Sequence, residues 1–324
     1  MPLSEPRANR LVADVGGTNS RLALFDPLAN ELRSLRTYVN RDYGQIEDII
    51  ADWLDALTEP PPSDCCLAVA APPFADRVTM LNIDWSFSCR DLATRFGFSR
   101  LQCINDFEGN AYALPHLHEH DLTTLHPGTV IERAKLATVG PGTGLGGSTL
   151  NLAGDVPVAC ASEPGHMGLA AATELELELF RYLQPRYGEV YAELLVSGPG
   201  LQRLYESLAD IQGQDVLSLS PEDISAKALA GQCELCVLTL NTFCALLGSI
   251  CGDFVLANGA YGGLYLAGGF VPHMIGFLQA SPFVRRFQEK GKMREHLARV
   301  PLYVITCKTT GLLGAAHAPL LRSG

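Results

Sequence analysis

Two stretches of the chain repeat one arrangement, and nothing else in the sequence narrows the fold as far. Residues 14–24 (DVGGTNSRLAL) and 139–150 (VGPGTGLGGSTL) each run from a strand through a Gly/Thr turn into a second strand. Such an echo is what two duplicated lobes with facing loops would show. Glycine in these turns permits positive φ and lets the main chain approach an anion closely. In the first loop Gly16, Gly17, Thr18 and Asn19 offer N–H groups and two polar side chains to a phosphate. Asp14, at the end of the preceding strand, is placed to hold Mg²⁺ through water. The second loop has four glycines in seven residues, 140–146. Within it Gly142, Thr143 and Gly144 offer consecutive N–H groups that suit a β/γ-phosphate. The plainer alternative for each is an ordinary hairpin turn. Neither loop is a Walker A motif or a Rossmann G-x-G-x-x-G.

The remaining patterning reads as α/β. Residues 10–15 and 21–25 form a hairpin, continued by a strand at 32–38. A helical stripe runs over 43–57, with Ile46, Ile49, Ile50, Trp53, Leu54 and Leu57 on one face. A buried strand at 65–71, a helix at 89–96 and a short strand at 101–105 follow. Residues 116–132 read as loop, and 136–140 and 146–152 as strands. Helices are expected at 171–185, 200–209, 221–229 and 234–257, then strands at 263–267 and 302–306 and a closing helix at 310–320. Residues 237–252 and 254–271 are uncharged, with Asp253 between them. The glycines of the second run suit a buried helix end, a turn and a strand better than a membrane span.

A length of 324 residues suggests about two domains. The 24 basic and 35 acidic residues leave a net charge of −11, which repels nucleic acid and anionic membranes. An anionic ligand must then be held by local devices such as backbone N–H groups and metal ions. The N-terminal MPLSEPRANR has no apolar stretch of the kind a secretory signal carries. Ten irregularly spaced cysteines in a chain of this size fit a reducing cytoplasm. Cys233 and Cys236 read as two thiols on adjacent helical turns. His116, His118 and His120 alternate, which on a strand would point three imidazoles one way, but an exposed loop is the preferred reading.

Three further places carry chemistry. Asn105-Asp106 ends a buried strand, where an Asp in an α/β fold often faces a ligand; Asp106 as the N-cap of a helix over 107–114 is the alternative. Glu163-Pro164-Gly165-His166 sets a carboxylate and an imidazole around a tight turn, suited to vicinal hydroxyls or to a plain surface turn. Glu193, taken alone, reads as a solvated helix glutamate.

In this order the motifs resemble the bacterial glucokinases. The resemblance runs from about residue 11 to residue 317. It rests on ADVGGTNSRLAL (13–24), INDFEGNA (104–111), GPGTGLG (140–146), EPGHMG (163–168), VSGPGL (196–201), YLAGGFVP (265–272) and GLLGAA (311–316). It implies an α/β, two-lobed actin/hexokinase-like (ribonuclease H-like) ATPase fold with a central cleft, divided into 1–112 plus 307–324 and 113–306. It implies phosphorylation of D-glucose at the 6-hydroxyl with ATP and Mg²⁺, in the cytoplasm, by a homodimer. Asp106 then matches the catalytic base, and Asn105, Glu163, His166 and Glu193 match glucose-binding residues. Residues 16–19 and 142–146 match the phosphate loops, and Gly268-Gly269 lies where adenosine is expected. Another hexose, such as mannose or an amino sugar, and a non-catalytic sugar sensor stay open. Two departures from the family pattern are Pro141, which removes one N–H beside the second loop, and Pro72-Pro73-Phe74-Ala75. A related sugar-kinase and repressor family follows Glu-x-Gly-His with a cysteine-rich zinc motif; no cysteine stands between Cys160 and Cys233 here.

Overall fold

The computed structural model describes residues 9–71, 76–80 and 82–320. The chain forms two compact units: Met1–Leu117 with Gly154–Ala159 and Lys308–Gly324, and His118–Ala153 with Cys160–Cys307. The expected division at 112/113 and 306/307 stands beside boundaries at 117/118 and 307/308, with residues 154–159 joining the first unit. The departure at Pro72-Pro73-Phe74-Ala75 lies outside the described residues.

The first unit opens with β1 (Arg10–Val15), β2 (Asn19–Asp26), β3 (Glu31–Val39), α1 (Ile46–Asp55) and β4 (Asp64–Val69). A short hairpin of β5 (Arg77–Thr79) and β6 (Ser86–Ser88) leads to α2 (Cys89–Phe96), β7 (Arg100–Asn105) and α3 (Asp106–Ala113). Five strands make one sheet in the order β3-β2-β1-β4-β7, antiparallel through β1 and parallel from β1 to β7. Successive side chains of a strand face opposite ways, and β1 obeys this. Leu11, Ala13 and Val15 join a core with Ile46, Ile49, Trp53 and Leu92, while Val12 joins another. β4 is apolar on both faces because both are covered, as parallel strands commonly are.

The second unit begins with β8 (Leu122–His126), β9 (Leu136–Pro141), β10 (Leu145–Asn151) and β11 (Val158–Ser162), whose first two residues belong to the first unit. The helices α4 (Glu174–Tyr187), α5 (Ala192–Leu195), α6 (Gly198–Ile211), α7 (Pro221–Leu229) and α8 (Glu234–Asn258) follow. Then come β12 (Gly263–Leu266), α9 (Ile275–Ala280), α10 (Phe283–Gln288), α11 (Arg294–Leu297) and β13 (Leu302–Ile305). The sheet order is β11-β10-β9-β12-β13-β8. The α8 helix is long and apolar enough to cross a membrane, yet most of its apolar window is buried inside the unit among α6, α7 and α10. It is a core helix that is hydrophobic all round.

The chain closes with α12 (Thr310–His317), which returns to the first unit. Its Leu312, Ala315 and Ala316 pack with Val12, Ala23, Cys66 and Ile104 on the second face of the five-stranded sheet.

Two local readings need correction, the loop at 122–126 and the helical placement of Cys233, while the alternative that put the alternating histidines on a strand falls. Residues 122–126, read as loop, form β8, an edge strand paired with β13. The three alternating histidines do not share a strand: His116 stacks on His317, and His118 stacks on His120 in a short 3₁₀ turn. Cys233 is not inside a helix but caps α8, its Sγ accepting from the Cys236 N–H at 3.4 Å.

Candidate active site

The first unit holds half of the expected residues, at the carboxyl end of its parallel strands. Asp14 lies near the end of β1 and Asn105 ends β7, with β4 paired between them. Two strand spacings separate those strands, roughly 10 Å. Asn105 is the N-cap of α3: its Oδ1 accepts from the Phe107 N–H at 2.9 Å, while Glu108 reaches back to the Asn105 N–H, also at 2.9 Å. Asp106 is therefore the first residue of the helix rather than its cap. Its Oδ1 accepts from the Phe107 N–H at 3.0 Å. Burial, and then the negative charge of Asp14, push the Asp106 carboxyl up to about 6. Burial also raises Asp14, against the opposing pull of Arg21, whose Nη1 lies 3.3 Å from Asp14 Oδ2. The first turn of α12 presses on Asp14, since a Cβ on Gly311 would sit 2.7 Å from its Cγ.

The loop after β1 is braced from behind. Gly16 spends its N–H on the Asn19 carbonyl at 3.0 Å, closing the turn. Asn40, fully buried, does the rest. Its N–H donates to the Thr18 carbonyl at 2.9 Å, its Nδ2 donates to the Gly16 carbonyl at 2.8 Å, and its Oδ1 accepts from Ser20 Oγ at 2.7 Å. Thr18 and Asn19 are left exposed. Sequence reading missed Asn40, because one asparagine at a strand end carries no local signal for a partner loop.

The second unit gathers the other half around α5. The β9–β10 turn is closed by the Gly142 N–H donating to the Gly144 carbonyl at 2.8 Å, so the Gly142 amide faces inward rather than toward a ligand. The Leu145 N–H donates to Glu193 Oε2 at 2.8 Å, and the Gly198 N–H donates to the Gly142 carbonyl at 2.8 Å. Glu193 is thus a half-buried acceptor and not a solvated helix residue. The Glu163–His166 turn meets the same element: the Ala192 N–H donates to the Met167 carbonyl at 2.9 Å, and the His166 ring lies parallel to Tyr191 with centroids 5.6 Å apart. The His166 and Glu163 side chains are 65% and 75% exposed, which leaves their polar atoms open to a ligand.

Beside the second loop lies a cavity of about 360 Å³ within this unit. Thr143 and Ser197 stand at its polar side, and Pro199, Pro221, Phe243 and Phe270 give it apolar walls. Gly268, at φ 99°, comes so close to Pro141 that a Cβ would lie 2.7 Å from the Pro141 carbonyl oxygen. That contact seats the Gly268-Gly269 turn against the loop, although Phe270 and not Gly269 lines the cavity. An apolar slot with a glycine loop at its edge suits a nucleoside base with its phosphates on the loop. Among the described residues, no cluster of three His, Cys, Asp or Glu side chains converges.

Residues 11–321 match the glucokinase family model. A glucokinase of Saccharophagus degradans is 38% identical over 309 residues, covering 94% of this chain and 96% of that protein. A glucokinase of Aromatoleum aromaticum is 40% identical over 310 residues, with 95% and 94% covered. The crystal structure of a glucokinase from an Antarctic psychrotroph aligns with a TM-score of 0.88 at 38% identity, covering 95% of this chain and 98% of that one. A ROK family glucokinase from Streptomyces griseus, solved in complex with glucose and AMPPNP, shares the fold at a TM-score of 0.64 and 17% identity, with 95% and 98% covered.

Proposed function

Since this chain belongs to the glucokinase family and is an ATP:D-glucose 6-phosphotransferase of actin/hexokinase-like fold, we propose that Asp106 is the general base of its phosphoryl transfer. The observation that carries this reading is the placement of Asp106: first residue of α3, desolvated, with its carboxyl near 6. At neutral pH it is ionised, yet close enough to the pH of the medium to take a proton efficiently. The phosphoryl group passes in line from ATP to the sugar 6-hydroxyl, whose proton goes to Asp106. The transition state is loose, so positioning and charge stabilisation do most of the work.

Asn105 presents an amide beside that carboxylate, and Glu163, His166 and Glu193 add acceptors and donors for the remaining sugar hydroxyls. A neutral polyol offers nothing but hydroxyls, and a site that bonds each of them rejects analogues lacking one. We assign Thr18, Asn19, Thr143 and Gly144 to contacts with the phosphates, and the cavity walled by Phe243 and Phe270 to the adenosine. Asp14 fits a cation: burial raises its own carboxyl, its charge raises that of the desolvated Asp106, and a divalent ion there would relieve both. Asp14 would hold Mg²⁺ through water, and the bound ion would neutralise β- and γ-phosphate charge. The ten free cysteines fit a reducing cytoplasm. Family resemblance alone supports a homodimer.

Asp106→Asn tests the base. It should bind glucose within a few-fold of the wild type while kcat falls by about 10²–10⁴, the range a positioned general base supplies. Near-normal turnover would remove Asp106 from the role. A panel of sugars against phosphoryl donors on the same preparation settles whether mannose or amino sugars are also accepted.

A further inference from the structure

We infer that Glu193 is a positioning residue that couples sugar occupancy to the shape of the 142–145 phosphate loop. The inference rests on the reading of Glu193 as a sugar-binding residue and gives that residue a second task. One carboxylate is already committed on the loop side: Glu193 Oε2 accepts from the Leu145 N–H at 2.8 Å. A bond to an ionised acceptor is roughly twice as strong as a neutral one, so the end of the loop follows the carboxylate.

The carboxylate has little room to turn. A Cβ on Gly144 would lie 2.6 Å from Glu193 Oε2, and one on Gly165 would lie 3.1 Å from it. The side chain is therefore wedged between the loop and the turn that carries Glu163 and His166. The start of the loop is tied to the neighbouring α6, through the Gly198 N–H on the Gly142 carbonyl, and Ser197 Oγ, donating to the Glu193 carbonyl at 2.8 Å, joins that helix start to α5. On the sugar side, Ala192 holds Met167, and Tyr191 stacks on His166. The end of the loop and the sugar-facing turn thus rest on α5, and the start of the loop rests on the first residue of α6, which Ser197 joins to α5. A sugar hydroxyl donating to Glu193 draws on the charge that orients Leu145 and shifts the loop as it does so. The coupling expected is that glucose tightens ATP, and linkage then requires that ATP tighten glucose by the same factor.

The test uses the full-length enzyme and AMPPNP, which does not transfer its phosphoryl group, titrated calorimetrically with and without saturating glucose. Wild type should bind AMPPNP about fivefold or more tightly with glucose present. Glu193→Ala should lose the glucose effect, whatever its affinity for AMPPNP alone, because the carboxylate that links sugar to loop is gone. Glu193→Gln should keep part of it, because its amide oxygen still accepts from Leu145. Glu163→Gln weakens glucose but touches no loop amide, so at saturating glucose it should retain the full factor. An unchanged factor in Glu193→Ala, an equal loss in Glu163→Gln, or no glucose effect in wild type each overturns the coupling. Should Glu193→Ala not fold, Glu193→Gln decides: a raised ATP KM at saturating glucose is expected, and an unaltered one overturns the proposal. Failure of the sugar-site reading looks different, since neither Glu163→Gln nor Glu193→Gln would then change glucose affinity.

Discussion

In the proposed role Asp106 shows how a residue can serve a reaction and burden the fold. Its ordinary value of 3.8 is raised to about 6, burial being the larger cause and Asp14 the lesser. The sign follows from linkage. A carboxyl raised in the folded state stabilises the fold below its unfolded value and loses that contribution as pH rises through the folded one. Between about pH 4 and 6 the native state prefers the proton that the unfolded chain has already released. Above 6 the native state carries an ionised, desolvated group. Asp106→Asn should therefore be more stable than wild type by about 1–3 kcal/mol at pH 8, and by less at pH 5. Urea denaturation of both proteins at the two pH values measures this, and a gap that does not widen with pH contradicts it. The same ionisation sets the acid limb of catalysis: kcat/KM for glucose should fall as pH drops through about 6.

What holds Asp106 in place is the contact of α3 with α12. The two helices meet where side chains are absent: a Cβ on Gly314 would lie only 1.6 Å from the Gly109 carbonyl oxygen. Alanine is favoured over glycine in a helix by about 1 kcal/mol, so propensity alone expects Gly314→Ala to stabilise. Overpacking a closed contact costs about 1–3 kcal/mol or more, and here the obstacle is backbone that cannot rotate aside. Gly314→Ala should lower the urea midpoint and reduce kcat more than it raises the glucose KM, because the displaced α3 carries the proposed base. A stabilised variant would show that the helices slide apart freely. Elements of this kind were legible in the sequence to different degrees. The 89–96 and 221–229 helices and the two glycine-turned hairpins announce themselves by period and turn chemistry, and both hairpins lie where the motifs put them. β5, β6 and β11 did not, being three to five residues long with no sustained alternation. β8 reads LTTLH, a polar edge strand defined by its pairing with β13 rather than by its own pattern. Asn40 and the Leu145–Glu193 bond were illegible for a related reason. Each joins residues far apart in the chain, and a side chain's partner across such a distance leaves no trace in its neighbours.

At the scale of the whole molecule, the relevant quantity is charge. The chain carries −11, and its anionic substrate must approach against that field to reach the loops proposed to hold it with backbone amides. Glucose, being neutral, feels no such opposition. The field extends about 30 Å at 0.01 M salt and about 10 Å at 0.1 M, so added salt removes repulsion at a distance while leaving the short loop contacts largely intact. The two substrates should therefore respond differently. With free Mg²⁺ held constant, raising ionic strength across that range should lower the KM for ATP severalfold and leave the KM for glucose unchanged. This is opposite to the salt response of proteins that hold polyanions by surface lysines and arginines, where affinity falls as counterions return. Steady-state kinetics at a series of salt concentrations separates the cases. A KM for ATP that climbs with salt would mean that exposed cations near the loops, and not backbone amides, hold the phosphates.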